Sequence, residues 1–213
     1  MKHIIWDWNG TLLNDLPVII EAVNHTVARV GLPQISLDDY RTHYTRPVKR
    51  FYDRIAGREI GHDDWVLIDR LFHEQYQARV AEAELAPGAG AALAKIDLGP
   101  HDQSLLSMAP EVELRAALSL FDVARYFRVA QGNSGPPGGF KTEHLADHLT
   151  LIDADPSIVT MIGDTVDDGH AAIDNGINCV LYDDGSHHRA DLEAVGLPIA
   201  DSIAEALEIA LAG

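Results

Sequence analysis

The feature that narrows the fold most is a change of hydrophobic periodicity along the chain. Residues 3–8 form a short apolar run. From about 15 to 30, Leu16, Ile19, Ile20, Val23, Val27 and Val30 recur at three- and four-residue spacing, one face of a helix. Pro17 suits the first turn of that helix, where its missing N–H costs little. Residues 36–84 carry helical signals only: Ser36-Leu37-Asp38-Asp39 has the form of a helix cap, and Trp65, Ile68, Leu71, Phe72, Tyr76 and Val80 make a second apolar stripe. After a break at Pro87-Gly88-Ala89-Gly90, short apolar runs return at 104–107, 127–130, 158–162 and 177–182. Helical stretches at 111–120, 141–151 and 168–175 separate them. Short apolar strands alternating with helices predict a parallel sheet covered on both faces. The expected organisation is an α/β core, residues 1–14 and 84–213, interrupted after its first strand by a helical insertion at 15–83. The densest turn region, 132–139, predicts a mobile loop.

Composition excludes several functional classes. Sixteen basic against 33 acidic residues leave a net charge of −17, which argues against an extended nucleic-acid or anionic-lipid surface. A small anionic substrate remains compatible, because a local cation reverses the sign within one pocket. The single cysteine, Cys179, removes any intramolecular disulfide framework or multi-cysteine metal site, and its apolar neighbours predict a buried thiol. No stretch approaches the roughly 18 consecutive apolar residues of a membrane span, and the N-terminus lacks the apolar run of a secretory signal. The expectation is a soluble, cytoplasmic protein.

Candidate chemistry falls where an open parallel sheet collects it, beyond the carboxyl ends of the strands. Asp7 ends the first predicted strand and is followed by Gly10 and Thr11; Ser107 ends the second. Lys141 opens the helix after the third, and Asp164 ends the fourth, four residues before Asp168. Taken singly, each has an ordinary reading as a turn former, cap or solvated side chain. Together, Asp7, Asp164 and Asp168 would gather three carboxylates at one mouth, an arrangement that needs a cation. Magnesium suits such a site, since it takes oxygen ligands and is completed by substrate phosphate. Lys141 and the Ser107 hydroxyl would hold phosphate oxygens, assisted by backbone N–H groups near Gly10 and Thr11. Asp7 is then placed to attack phosphorus and form an aspartyl-phosphate.

Two stretches resemble a known family. Ile4-Ile5-Trp6-Asp7-Trp8-Asn9-Gly10-Thr11-Leu12-Leu13 is similar to the first motif of the haloacid dehalogenase superfamily, and Gly163-Asp164-Thr165-Val166-Asp167-Asp168 to its fourth. Ser107 and Lys141 match the second and third motifs by type and order. The resemblance implies a Rossmann-like core with a helical cap, as in phosphoglycolate phosphatase relatives, acting on a small phosphorylated substrate. It makes Asp7 the nucleophile and a metal ligand, assigns Ser107 and Lys141 to the phosphate, and gives Asp164 and Asp168 to the metal, Asp168 directly or through water. Asp167 falls outside the motif spacing and reads as a charge at a helix N-terminus.

Asn9 departs from the pattern. Phosphatases of the superfamily carry an aspartate there that protonates the leaving oxygen and activates water; an amide does neither, although the backbone carbonyl of Asn9 still offers a metal ligand. Positioned acid–base catalysis contributes about 10² to 10⁴-fold. Besides a phosphatase, the sequence therefore allows a weak or inactive phosphate-binding protein, or a phosphonatase-like C–P hydrolase. The last needs an insertion lysine, and only Lys49 is present. Arg41, Arg46, Lys49, Arg50, Arg54 and Arg58 are candidates for an anionic substrate, each against an ordinary reading as part of a solvated face. His144 with His148, and His187 with His188, read as solvated surface residues rather than a zinc pair.

Overall fold

The structure, a computed structural model, describes residues 1–135 and 139–213. Pro136, Pro137 and Gly138, within the predicted 132–139 loop, lie outside the described residues. The chain opens with β1 (His3–Trp6), then a two-residue strand β2 (Leu13–Asn14) and four helices: α1 (Leu16–Arg29), α2 (Leu37–His43), α3 (Val48–Ala56) and α4 (His62–Arg79). It returns through β3 (Glu84–Leu85) and α5 (Ala89–Asp97) to β4 (Asp102–Pro110), α6 (Glu111–Leu120), β5 (Ala130–Asn133) and α7 (Lys141–Ile152). The remainder is β6 (Val159–Gly163), α8 (Val166–Asp174), β7 (Asn178–Tyr182), α9 (Arg189–Val195), β8 (Ile199–Ala200) and α10 (Ile203–Ala212).

Six strands form one sheet in the order β5-β4-β1-β6-β7-β8, with every pair parallel. The chain builds outward from β1 on one side, then returns to β6 and builds on the other. That reversal makes the β1/β6 boundary the topological switch point, where ligands bind in doubly wound sheets. Strand alternation feeds both covered faces. Ile4 and Trp6 enter one apolar cluster with α5, α6, α10 and the 15–83 helices, while Ile5 enters another with α7, α8 and α9. The insertion begins and ends at one place, because β2 pairs antiparallel with β3, Leu13 opposite Leu85. Ser36 caps α2 in a full capping box with Asp39.

Three expectations need correction. The third core strand lies at Ala130–Asn133 rather than 127–130, since a 3-10 turn at Ala124–Tyr126 still occupies the chain and Phe127 ends it. β5 is an edge strand whose Gln131 faces a polar partner, so hydropathy alone does not mark it. Six elements, β2, β3, α5, α9, β8 and α10, had no predicted counterpart. The third correction concerns His148, which is fully buried rather than solvated. His148 and His3 both contact the Ser104 hydroxyl through Nε2 at 2.8 Å, and His148 Nδ1 meets Gln131 Oε1 at 2.8 Å. A carbonyl oxygen only accepts, so neutral His148 donates from Nδ1 and accepts a hydrogen bond from the Ser104 hydroxyl at Nε2; His3 then donates to Ser104. Burial holds both imidazoles low, at about 4. Cys179 is buried, as expected.

Candidate active site

β1 and β6 run side by side with Trp6 opposite Ile162, and the Asp7 N–H continues the ladder to the Ile162 carbonyl at 2.9 Å. Asp7 and Asp164 therefore emerge together at the switch point. With Asp168, from the first turn of α8, their carboxylates offer oxygens within 4.8 Å of one another. All three are buried. Thr11 Oγ1 bridges the first two, donating to Asp164 Oδ1 at 3.0 Å and lying 3.4 Å from Asp7 Oδ2. The Ser186 N–H donates to Asp164 Oδ2 at 2.7 Å. Gly10, at φ +75°, and Gly185 both pack against the Asp164 carboxylate so closely that a Cβ on either would overlap it.

Lys141 opens α7, where its backbone N–H donates to Asp167 Oδ2 at 3.0 Å. Its buried ammonium contacts both Asp7 Oδ1 and Asp168 Oδ1. Burial alone would lower the Lys141 pKa, but the Asp168 and Asp7 carboxylates outweigh it and hold it raised. Burial also raises Asp7 to about 6, opposed by Lys141, and raises Asp164 to about 8, reinforced by Asp7 and Asp168. Asp168 stays low despite burial because Lys141 and Thr165 both favour its charged form. Its Oδ2 completes a capping box with Thr165, so this carboxylate is already engaged at both oxygens. Asp164 carries the stronger demand for a cation. Three buried carboxylates against one ammonium, all of hard oxygen chemistry, fit a divalent metal ion.

The Ser107 hydroxyl lies beside this group near the end of β4, accepting from the Ala109 N–H at 3.1 Å. The amides of Gly10 and Thr11, expected to face phosphate, are used within their own loop. Gly10 donates to the Leu13 carbonyl at 2.9 Å and Asp15 Oδ1 at 3.0 Å, and Thr11 donates to the Trp8 carbonyl at 3.3 Å. The Asn9 side chain is engaged beside this group: its Nδ2 donates to Asp15 Oδ2 at 2.6 Å and to Tyr76 Oη at 2.8 Å. Sequence reasoning missed Asp15, Tyr76 and Ser186. In the sequence Asp15 reads as an ordinary helix cap; only the structure shows that its side chain makes no cap hydrogen bond and turns to Asn9, Gly10 and Tyr76 instead.

Of the six basic candidates in the insertion, only Arg46 lines the site, 3.7 Å from Asp167. Lys49 pairs with Asp53 and Glu59 on the insertion itself. Arg41 donates to the carbonyls of Gly185 and Asp184, and Arg54 to that of His43.

Comparison with known proteins decides the family, since the model of the haloacid dehalogenase-like hydrolases matches residues 4–182. The chain belongs to this family. It is similar to a phosphoglycolate phosphatase of Caulobacter vibrioides, 27% identical over 188 residues covering 85% of this chain and 79% of that one. Phosphoglycolate phosphatase 1 of Pseudomonas aeruginosa is 24% identical over 206 residues, 94% of this chain and 73% of the relative. The crystal structure of a predicted phosphatase from Clostridium acetobutylicum superposes with a TM-score of 0.89 at 18% identity, covering 100% and 99% of the two chains; that likeness concerns the fold. The Asp7, Asp164 and Asp168 cluster lies within the residues that the family model matches. No helix among the described residues is long and apolar enough to cross a membrane.

Proposed function

We propose that the protein is a magnesium-dependent phosphatase acting on a small phosphate monoester through an aspartyl-phosphate on Asp7. The observation that carries this reading is the contact of Lys141 with Asp7, with Thr11 tying Asp7 to Asp164. Lys141 keeps Asp7 ionised and oriented despite its burial, which is what a carboxylate nucleophile requires. Magnesium, held by Asp7, Asp164 and the Asn9 carbonyl, with Asp168 alongside, would neutralise charge developing on the transferred phosphoryl group. Lys141, the Ser107 hydroxyl and Arg46 are the chain's own groups for the phosphate oxygens.

In the first step an Asp7 oxygen bonds to phosphorus as the ester P–O bond breaks and the leaving oxygen departs with the electron pair. In the second, water attacks the phosphorus, the bond to Asp7 breaks, and phosphate and a proton are released. Asn9 supplies no proton to either step, so the reading favours esters whose oxygen leaves as a stable anion. The helices of residues 15–83 act as a cap that covers Asp7 and selects the leaving group, and the β2–β3 pair is the place where they turn.

Phosphate release from a panel of monoesters, with and without magnesium, tests the proposal, together with acid-quench trapping of phosphoenzyme. Magnesium-dependent release and a trapped phosphoenzyme are expected. Binding of magnesium and phosphate without turnover on any ester would replace the phosphatase reading with that of a binding protein.

A further inference from the structure

A cavity of about 160 Å³ lies between the insertion and the sheet, next to the carboxylate site. The two spaces are continuous in their walls: Asn9, Ile19, Tyr40, Tyr44, Arg46 and Met108 line both. Beyond that neck much of the wall is aromatic. Phe51 and Tyr52 meet at 5.0 Å between centroids, Tyr52 and Trp65 at 6.0 Å, and Phe72 stacks on Tyr76 at 5.8 Å. The volume is close to that of cavities, about 150 Å³, that take up a benzene ring.

The wall supplied by α4 and α6 carries carboxylates and, among the described residues, no lysine or arginine. Asp69 and Glu113 stand there, with His73 Nδ1 3.0 Å from Glu113 Oε2 and Nε2 3.8 Å from Asp69 Oδ1. Among the described lining residues the sole Arg or Lys is Arg46, at the neck and already beside Asp167. A leaving group ending in a carboxylate would meet two carboxylates and no free cation. An aromatic ring would meet faces and edges of its own kind.

Asn9 points the same way independently. Without a proton donor, the ester oxygen leaves as an anion. A phenol ionises near pH ~10, as tyrosine does, against about 15.7 for water, which aliphatic alcohols resemble.

We infer that this cavity is an aryl subsite and that the substrate is the phosphate monoester of a phenol. The inference rests on the phosphatase reading for the chemistry but not for the subsite, and the test separates the two. Phenylphosphonate, methylphosphonate and 3-phosphonopropionate are titrated calorimetrically into the full chain with magnesium. These probes carry the same stable phosphonate head and differ in what enters the cavity. Phenylphosphonate should bind at least tenfold more tightly than either of the others, and in Trp65→Ala its advantage over methylphosphonate should narrow severalfold. The ratio within one variant also controls for a general loss of fold. Phenylphosphonate binding no better than methylphosphonate, 3-phosphonopropionate binding best, or no binding by any probe would overturn the subsite. Ring preference without release of phosphate from phenyl phosphate would overturn the phosphatase reading and leave the subsite standing. Turnover without ring preference would do the reverse.

Discussion

Half-buried Asn9 and buried Asp15 form an amide–carboxylate pair, with Asn9 Nδ2 2.6 Å from Asp15 Oδ2. Tyr76 from α4 completes it by donating to the same Asp15 oxygen at 2.6 Å. Replacing Asn9 by aspartate would therefore set a second carboxylate against buried Asp15, where the two charges repel. Asn9→Asp alone should lose stability, by about 1–3 kcal/mol. The exchange Asn9→Asp/Asp15→Asn keeps the pair and moves the carboxylate to the position next to Gly10. The double variant should regain most of the stability and hydrolyse alkyl phosphates at least ~10-fold faster than the native protein. Urea unfolding and steady-state turnover measure the two effects. A single variant as stable as the native chain would show that the pair does not constrain position 9.

Removing the hydroxyl in Tyr76→Phe deletes one donor to the fully buried Asp15 and the polar tie between α4 and the Asp7 loop. The expected loss is about 1–3 kcal/mol in equilibrium unfolding. Burial raises the Asp15 pKa while Tyr76 and Asn9 oppose it, so losing one of them leaves the carboxyl higher still.

Asp7→Asn removes the proposed attacking oxygen and should abolish turnover. Asp164→Asn should chiefly weaken magnesium, because the amide oxygen can still accept from the Ser186 N–H while its NH2 donates to the Thr11 hydroxyl oxygen, whose own proton can turn to Asp7. Calorimetric titration of magnesium into both variants separates the roles. Substantial hydrolysis by Asp7→Asn would exclude the aspartyl-phosphate route.

Gly185→Ala would drive a methyl group into the Asp164 carboxylate. Gly10→Ala does the same and adds a left-handed backbone that alanine disfavours, so it should be the more damaging of the two. Magnesium affinity should fall in both, and thermal unfolding ranks them. Equal behaviour of the two would mean that overlap with Asp164, and not backbone conformation, sets the cost.

Much of this site was legible because its parts sit at strand ends, where apolar runs stop abruptly. Ile4, Ile5 and Trp6 mark a strand buried on both faces, and Asp7 is the residue that breaks the run. The same logic found Asp164 after Val159–Gly163, and chain order found Ser107 and Lys141. What stayed hidden depends on partners distant in sequence. Nothing near Asp15 announces Tyr76, and nothing near His148 announces Ser104 and His3. β5 was misplaced by three residues because Gln131 and Asn133 pack as polar groups, and β8 is too short for an alternating pattern. The α10 stripe of Ile203, Ala206, Leu207 and Ala210 has helical spacing, but its alanines bury area without standing out as apolar.

The His3–Ser104–His148 group predicts a pH dependence. Both imidazoles ionise at about 4 in the folded protein, against about 6.5 when exposed. Between those values the unfolded chain binds more protons, so their contribution is whole above pH 6.5 and declines as pH falls towards 4. Asp7 and Asp164, raised by burial, act in the opposite sense over the same range, so the comparison must be with a variant. His148→Asn should flatten the acid-side slope of unfolding free energy by about 1.4 kcal/mol per pH unit, one proton's worth. Parallel pH curves for the two proteins would contradict the neutral, shared-hydroxyl arrangement.

The short ribbon of β2 and β3 has a consequence for how this chain can vary. Because Leu13 and Leu85 face each other, everything between them leaves and rejoins the sheet through a single doorway. The cost of closing a loop depends on where its ends meet and only weakly on its length. Helices behind that doorway can lengthen, shorten or be exchanged over generations while Asp7 and Asp164 keep their spacing, which is set by the β1–β6 ladder. The carboxylate pair and the helices beyond the doorway are thereby held by separate parts of the fold.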